Sequence, residues 1–432
     1  MTKQIPPGYK QTKVGVVPND WTEPCLYQYI REITTYCNDE NIPLYSLTIE
    51  SGIIPKPERY EREHLVRNTN DAYKLIKFNQ FAYNPMNLRF GALALFKDKL
   101  NVKLSAYYNI FEVNEDIVNI QYIYYYLKSI RIMFYFNRMA IGSLEEKKRI
   151  HFSDFIKFSF PIPQLKEQEK IAEILSTWDD AITKQEQLIA QKQVFKKGIM
   201  QQIFSQQIRF KDDHGNDYPT WQTKKLGEAL FFIRNNSFSR NQLNLNNGLA
   251  QNLHYGDIHT KFSNYIDVAN SVIPYINADV DIEPIQNHEY CQDGDLIIAD
   301  ASEDYKDVGK SVEIKNIGTK KILSGLHTIL ARNKISFALG FKAYLMQSTK
   351  MRSQIEKIAN GISVLGISKT NLANTLLDYP CLEEQTKIAD FLTNIDNGIT
   401  KQTEILDQLK LQKQSLMQKL LSGQVRVINK GN

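Results

Sequence analysis

Three stretches carry residue types that could do chemistry, and each lacks a required part. Asn84-Pro85-Met86-Asn87 begins like the Asn-Pro-Pro-aromatic tetrapeptide of adenine methyltransferases. It departs at the third and fourth positions, and no glycine-rich cofactor loop opens a helix after a strand. Glu313-Ile314-Lys315 has the Glu-x-Lys spacing of a nuclease, with acidic residues upstream. That triplet is common by chance, and no Pro-Asp precedes it at a strand end. His254, His259 and His288 lack metal-ligand partners at helical spacing. No G-x-x-x-x-G-K-[ST] loop is present to cradle a phosphate. The four cysteines, Cys25, Cys37, Cys291 and Cys381, include no C-x-x-C pair. Neither a zinc site nor a disulfide framework is expected, and free thiols fit a reducing cytoplasm. These absences point to a chain with no catalytic site, metal or cofactor of its own.

What remains is recognition by hydrogen bonding. Two segments, 1–160 and 211–379, are rich in amides, aromatics and scattered Arg and Lys. Asn and Gln match the edge of adenine, Arg matches guanine, and Lys directed at phosphates positions a duplex. The candidate contacts in the first segment are Arg59, Arg62, Arg67, Asn68 and Lys74. In the second they are Arg234, Asn235, Asn236, Arg240, Asn241, His254 and Lys261. Taken singly, each reads first as a solvated surface residue; a contact is expected somewhere in each stretch. Bulk charge does not decide: the chain carries +5, with 21 Lys/Arg against 17 Asp/Glu in 1–160 and 18 against 19 in 211–379. Local patches would have to hold a polyanion.

The elements that must position these segments are an internal repeat. Residues 163–210 and 380–427 align without a gap at an offset of 217, with 20 of 48 positions identical. The identities include Glu167/Glu384, Gln168/Gln385, Asp179/Asp396, Lys184/Lys401 and Arg209/Arg426. Fainter echoes link the parts between: Leu104-Ser105 with Leu323-Ser324, and Gly142 with Gly361, at an offset of 219. The chain is therefore a duplicated unit of globular segment and long helix.

Apolar residues recur at alternating spacings of four and three in both repeats. The first series is Ile171, Leu175, Trp178, Ile182, Gln185, Ile189, Lys192, Lys196, Ile199 and Ile203. The second is Ile388, Leu392, Ile395, Ile399, Gln402, Leu406, Leu409, Lys413, Leu416 and Leu420. This is a coiled-coil seam, and polar residues at equivalent seam positions fix its register. The alternative is a helix packed on its neighbouring domain. A chain that runs out along one helix must return along the other, so an antiparallel pair is expected. A helix of about 35 residues spans roughly 50 Å, enough to hold two readers along about one 34–36 Å turn of DNA. The return should bring Gln424–Val427 back near Pro18–Leu26.

The expected fold is α+β: two globular recognition domains, 1–160 and 211–379, separated by two long antiparallel coiled-coil helices, 163–210 and 380–427, with a pseudo-twofold repeat. Phe81–Leu88, Gly91–Phe96 and Asp295–Ala299 read as strands, Gln121–Met139 and Phe341–Ala359 as helices. Hydrophobic content of 42% with 23% charged residues is ordinary for a globular protein. The N-terminus lacks an apolar signal core. Tyr122–Phe136, broken by Lys128 and Arg131, is too short and too charged to cross a bilayer.

The duplicated P-x-L-x-E-Q-x-K-I-A-x-x-L helices resemble the conserved regions of type I restriction–modification specificity subunits. The segments YGDIHTKF (255–262), DGDLIIADASEDYKDVGK (293–310) and KFNQFAYNPMNLRFGAL (77–93) resemble that family's target-recognition domains. The resemblance covers almost the whole chain. It implies that each domain reads one half of a split double-stranded DNA target and that the helices set the gap. It further implies two adenine-methyltransferase subunits bound to the helices, and restriction subunits joined to that core. S-adenosylmethionine, ATP and magnesium would belong to those partners. Two other readings are a coiled-coil scaffold that binds proteins without nucleic acid, and a nuclease acting through Glu313 and Lys315.

Overall fold

No proline interrupts either repeat, and each copy forms one unbroken helix, Leu165–Phe204 and Leu382–Leu421. The computed structural model describes residues 5–56, 73–262 and 264–427. The chain divides into two units: Met1–Glu186 with Ile405–Asn432, and Gln187–Glu404. Each unit holds one globular segment, the start of one long helix and the end of the other.

Within each unit the helices run antiparallel. In the first, Asp179 pairs with Lys413; in the second, Lys196 pairs with Asp396 at 2.6 Å. The seam positions Trp178, Ile182, Gln185, Ile189, Lys192, Lys196 and Ile199 are half-buried, as are Ile395, Ile399, Gln402, Leu409, Lys413 and Leu416. Their neighbours on the outer faces are exposed. A two-helix seam covers only one stripe of each helix, so burial stays partial.

The helix ends are buried more deeply because the globular segments add a third wall. Ile171, Leu175, Leu420 and Leu421 join the core of the first unit. Their repeat counterparts Ile388, Leu392, Ile203 and Phe204 join the core of the second. Each such side chain contributes roughly 1.5–3 kcal/mol when fully removed from water. The helices therefore pair along the seam as expected, and the alternative packing, docking on a domain, occurs as well at each end.

The same polar joints appear twice. Gln168 accepts the backbone N–H of Asn119 at 2.9 Å and donates to the Pro163 carbonyl at 2.9 Å. Gln385 does the same with Ala338 and Pro380, at 3.0 and 2.9 Å. Arg426 grips the buried Glu167 through two bonds of 2.7 and 2.8 Å, and Arg209 grips the buried Glu384 at 3.2 and 2.6 Å. Tyr125 donates to Asp179, and Tyr344 to Asp396 at 2.9 Å. Each tyrosine belongs to a globular segment, each aspartate to one helix and each lysine partner to the other helix.

Each long helix ends on a left-handed residue, Gln206 at φ 62° and Gly423 at φ 68°. Ile208 N–H then reaches back to the Gln202 carbonyl, and Val425 N–H to that of Lys419. This is the backward bonding that satisfies terminal carbonyls. Beyond Gly423 the tail packs as expected from the repeat: Tyr9 donates to the Gly423 carbonyl at 2.9 Å, and Arg426 donates to Asp20 at 2.8 and 3.0 Å.

The first globular segment holds an antiparallel sheet ordered Ile30–Ile33, Asn109–Val113, Phe81–Tyr83, Leu93–Leu95. Phe81 and Phe111 stack at 4.9 Å in its core. The second holds a five-stranded sheet ordered Leu230–Ile233, Thr328–Asn333, Leu296–Ala299, Ser311–Lys315, Tyr265–Asp267, with only the last pair parallel. The helical stretches 121–139 and 341–359 are each two helices. Ser129 and Ser348 accept backbone N–H groups three residues on and cap the second helix of each pair. Hydrophobic periodicity continues across the break, so the sequence conceals it. The strand expected from Phe81 stops at Tyr83, because Asn84 and Pro85 open a turn in which Asn84 Oδ1 accepts Met86 N–H at 3.0 Å.

Candidate nucleic-acid interface

In the second unit, three loops meet: the segment following strand Leu230–Ile233, the short helix Tyr255–Thr260 with its flanks, and the turn between strands Ile322–Ser324 and Thr328–Asn333. Amide side chains join them. Asn235 Nδ2 donates to the Gly325 carbonyl at 3.2 Å. Asn236 Nδ2 donates to Asn252 Oδ1 at 2.7 Å and to the Ser324 carbonyl at 3.0 Å. These bonds fix the loop that carries Arg234, which is exposed.

Asp257 organises the cations. It is buried and receives Arg240 Nη1 at 2.9 and 3.0 Å and Lys261 Nζ at 2.9 Å. Both cations keep about half their side-chain surface, 48% and 46%. A buried carboxylate thus holds two exposed positive groups side by side, which is a posture suited to an anionic partner. Beside them, His254 Nδ1 accepts the Gly256 N–H at 3.2 Å and caps the short helix. Burial holds the His254 imidazole below its ordinary pKa, and the charges of Arg240 and His327 add to this. Asn241 accepts from the Ser239 hydroxyl through Oδ1, and its carbonyl accepts Asn277 Nδ2 at 3.0 Å. All seven candidates of the second segment therefore sit in one loop cluster. Arg234, Asn235 and Asn236 line a recess of about 460 Å³ there, with Leu326, Asp281 and Glu289 on its other walls.

The first segment is different. Arg59, Arg62, Arg67 and Asn68 lie outside the described residues. Lys74 lies in strand Tyr73–Ile76, is 7% exposed, and gives its ammonium to the Tyr108 carbonyl at 3.0 Å. Burial pushes its pKa below the usual lysine value. An alternating strand residue has even odds of facing inward, and nothing in the sequence around Lys74 signals which.

Residues 6–191 and 218–411 match the family described as type I restriction modification DNA specificity domain. The chain belongs to that family. It is 24% identical to the type I restriction enzyme MjaVIII specificity subunit of Methanocaldococcus jannaschii, over 96% of this chain and 95% of that one. It is 23% identical to the putative type I restriction enzyme MjaX specificity subunit of the same organism, over 97% of each. Among solved structures, a chain from a study of complex assembly in the type I restriction–modification system superposes with TM-score 0.57 at 16% identity, covering 95% of this chain and 99% of that one. The type I S subunit of M. genitalium superposes at 0.51 and 13% identity, covering 93% and 96%. These structural likenesses establish the fold.

As a specificity subunit the chain is a non-catalytic component, and its suspect motifs have structural roles instead. Glu313 is fully buried, bound to Lys342 Nζ at 3.0 Å and to the Ala343 N–H at 3.0 Å. Lys315 lies over the Tyr265 ring, 3.4 Å from its centroid. Glu313 is thus sealed away from solvent, where it cannot hold a metal against a phosphodiester. Among the described residues no group of three or more His, Cys, Asp or Glu is arranged to hold a metal, all four cysteines are free, and no helix is long and apolar enough to cross a membrane.

The sequence reading missed several residues of this cluster: Asp257, Asn252, His327 and Asp300. Asp257 could have been found, because it stands four residues before Lys261 within a short helix. The others are brought in by two separate sheets, from distant parts of the segment.

Proposed function

We propose that this specificity subunit reads a bipartite double-stranded DNA target, one half through each globular segment. By this reading it directs adenine-N6 methylation, and restriction, by partner subunits in the cytoplasm. Two methyltransferase subunits would bind it, with restriction subunits added to that core. S-adenosylmethionine, ATP and magnesium would be held by the partners. The observation that carries the reading is the duplicated frame. The Gln, Arg–Glu and Tyr–Asp–Lys joints are repeated residue for residue, whereas the loops they support differ in sequence. A conserved frame with divergent loops is what two readers of different half-sites require. Arg234, Asn235, Asn236, Arg240, Asn241 and Lys261, supported by His254, are the proposed contacts of the second domain. The carboxylates Asp281 and Glu289 in the recess would repel phosphate, which favours a base edge there and leaves phosphates to Arg240 and Lys261. In the first domain Arg59, Arg62, Arg67 and Asn68 are the proposed contacts.

The test is to express the chain with its methyltransferase partner and map methyl-adenine across the host genome, then repeat with residues 1–160 exchanged for a relative's. A split motif in which only one half changes supports the reading. Absence of any motif, with intact assembly, would favour the protein-binding scaffold.

A further inference from the structure

We propose that His327 is a base-reading residue of the second recognition domain and that Asp300 positions its ring. This rests on the DNA-reading function above and adds a specific contact to it.

His327 has φ 54°, a left-handed backbone that non-glycine residues rarely hold. The turn around it is fixed from every side. Gly325 N–H donates to the Leu253 carbonyl at 2.9 Å, and Tyr255 N–H to the Leu326 carbonyl at 3.3 Å. Thr328 Oγ1 donates to the Gly325 carbonyl, and Asn235 does so from the neighbouring loop. Asp300 N–H donates to the His327 carbonyl at 3.1 Å. A strained residue persists where its surroundings over-determine it, and such positions cluster at ligand contacts.

The side chain is oriented as well. Its Nδ1 faces Asp300 Oδ1 at 3.4 Å, and its ring meets Tyr255 edge-on at 5.4 Å. The ring remains 52% exposed, in the same loop cluster as Arg240 and Lys261. A carboxylate beside Nδ1 favours the tautomer with hydrogen there, which leaves Nε2 of this half-exposed ring as an acceptor. Such an acceptor on a rigid turn pairs with an exocyclic amine of adenine or cytosine in the major groove. Asp300 acts through His327 and is a positioning residue.

The assembly of this chain with its methyltransferase partner is tested by methyl-adenine mapping with His327→Asn, His327→Ala and Asp300→Asn. Asparagine tolerates the left-handed turn, so His327→Asn keeps the fold while changing the acceptor. Both His327 variants should relax or alter one base of the half-site read by the second domain, leaving the other half-site intact. Asp300→Asn should weaken discrimination at that same base. In the unmodified assembly, diethyl pyrocarbonate labelling of His327 should fall several-fold with a duplex carrying the mapped motif and not with an unrelated duplex. An unchanged motif in folded His327→Asn protein, or equal labelling with both duplexes, overturns the assignment. The DNA-reading function itself is judged separately, by whether the unmodified assembly yields a split motif at all.

Discussion

Asp179 on the first long helix is paired with Lys413 on the second, and Asp396 is paired with Lys196 at the equivalent positions of the repeat. The two pairs differ in environment. Asp396 and Lys196 keep 18% and 16% of their side-chain surface, whereas Asp179 keeps 44%. An exposed partner stays solvated when its mate is removed; a shielded one does not. Lys413→Met should therefore destabilise the chain by about 0.5–1 kcal/mol, and Lys196→Met by about 1–2 kcal/mol. Chemical denaturation with the matching Asp179→Asn and Asp396→Asn cycles measures both, and a larger loss at Lys413 would contradict the burial argument.

The two helix ends give an opposed pair of substitutions. Gln206 and Gly423 adopt the same left-handed conformation, yet only one is glycine. Gln206→Gly removes a strained side chain in open solvent and should stabilise by about 1 kcal/mol. Gly423→Gln should destabilise by more than this, because a Cβ there collides with the Pro18 ring and touches Trp21. Thermal unfolding should move in opposite directions for the two.

These symmetric joints show how much could be read from sequence. The offset of 217 already matched Asp179 with Asp396 and Lys196 with Lys413, so the antiparallel pairing and the position of the tail followed from arithmetic and chain connectivity. What could not be read was long-range. Asp257 and Arg240 are brought together by loops, and His327 acquires its unusual backbone from a turn tied to Leu253, Asn235 and Asp300. Lys74 shows the converse: a lysine in an amide-rich segment reads as surface, but its strand faces it inward.

His254 makes the second recognition domain sensitive to acid. Its folded pKa lies below the ordinary 6.5, through burial first, then the charges of Arg240 and His327, with Asp257 opposing. The unfolded state then binds more protons as the pH falls through this window. Stability is fully present above about pH 6.5 and is lost as the pH drops toward the folded value. Protonation also removes the Nδ1 lone pair that accepts Gly256 N–H. His254→Asn retains a cap acceptor and cannot titrate. The difference in stability between wild type and His254→Asn should shift against wild type from pH 7 to pH 5.5. Subtracting the variant cancels other groups, including Asp300, whose pKa burial raises. A difference independent of pH would show that His254 does not carry the effect.

The last expectation concerns the gap between half-sites. The seam repeats every 3.5 residues, so removing seven residues deletes two turns and keeps the same face inward. The deletions must match. The register that sets Asp179 against Lys413 in one unit, and Lys196 against Asp396 in the other, puts residues 404–410 opposite Ile182–Leu188. Cutting both segments leaves every Tyr–Asp–Lys and Arg–Glu joint in place, whereas cutting one forces the joints at one end out of register. The paired deletion shortens the helices by roughly 10 Å, or about three base pairs at about 3.4 Å each. Three base pairs also turn the second half-site by nearly a third of the roughly 10–10.5 base pairs in a turn. The paired variant should fold and assemble with its partners, and either methylate a motif with a shorter gap or lose DNA binding. The single deletion should unfold at a distinctly lower temperature. If the paired variant assembles and methylates the original motif with its original gap, the helices do not set the spacing.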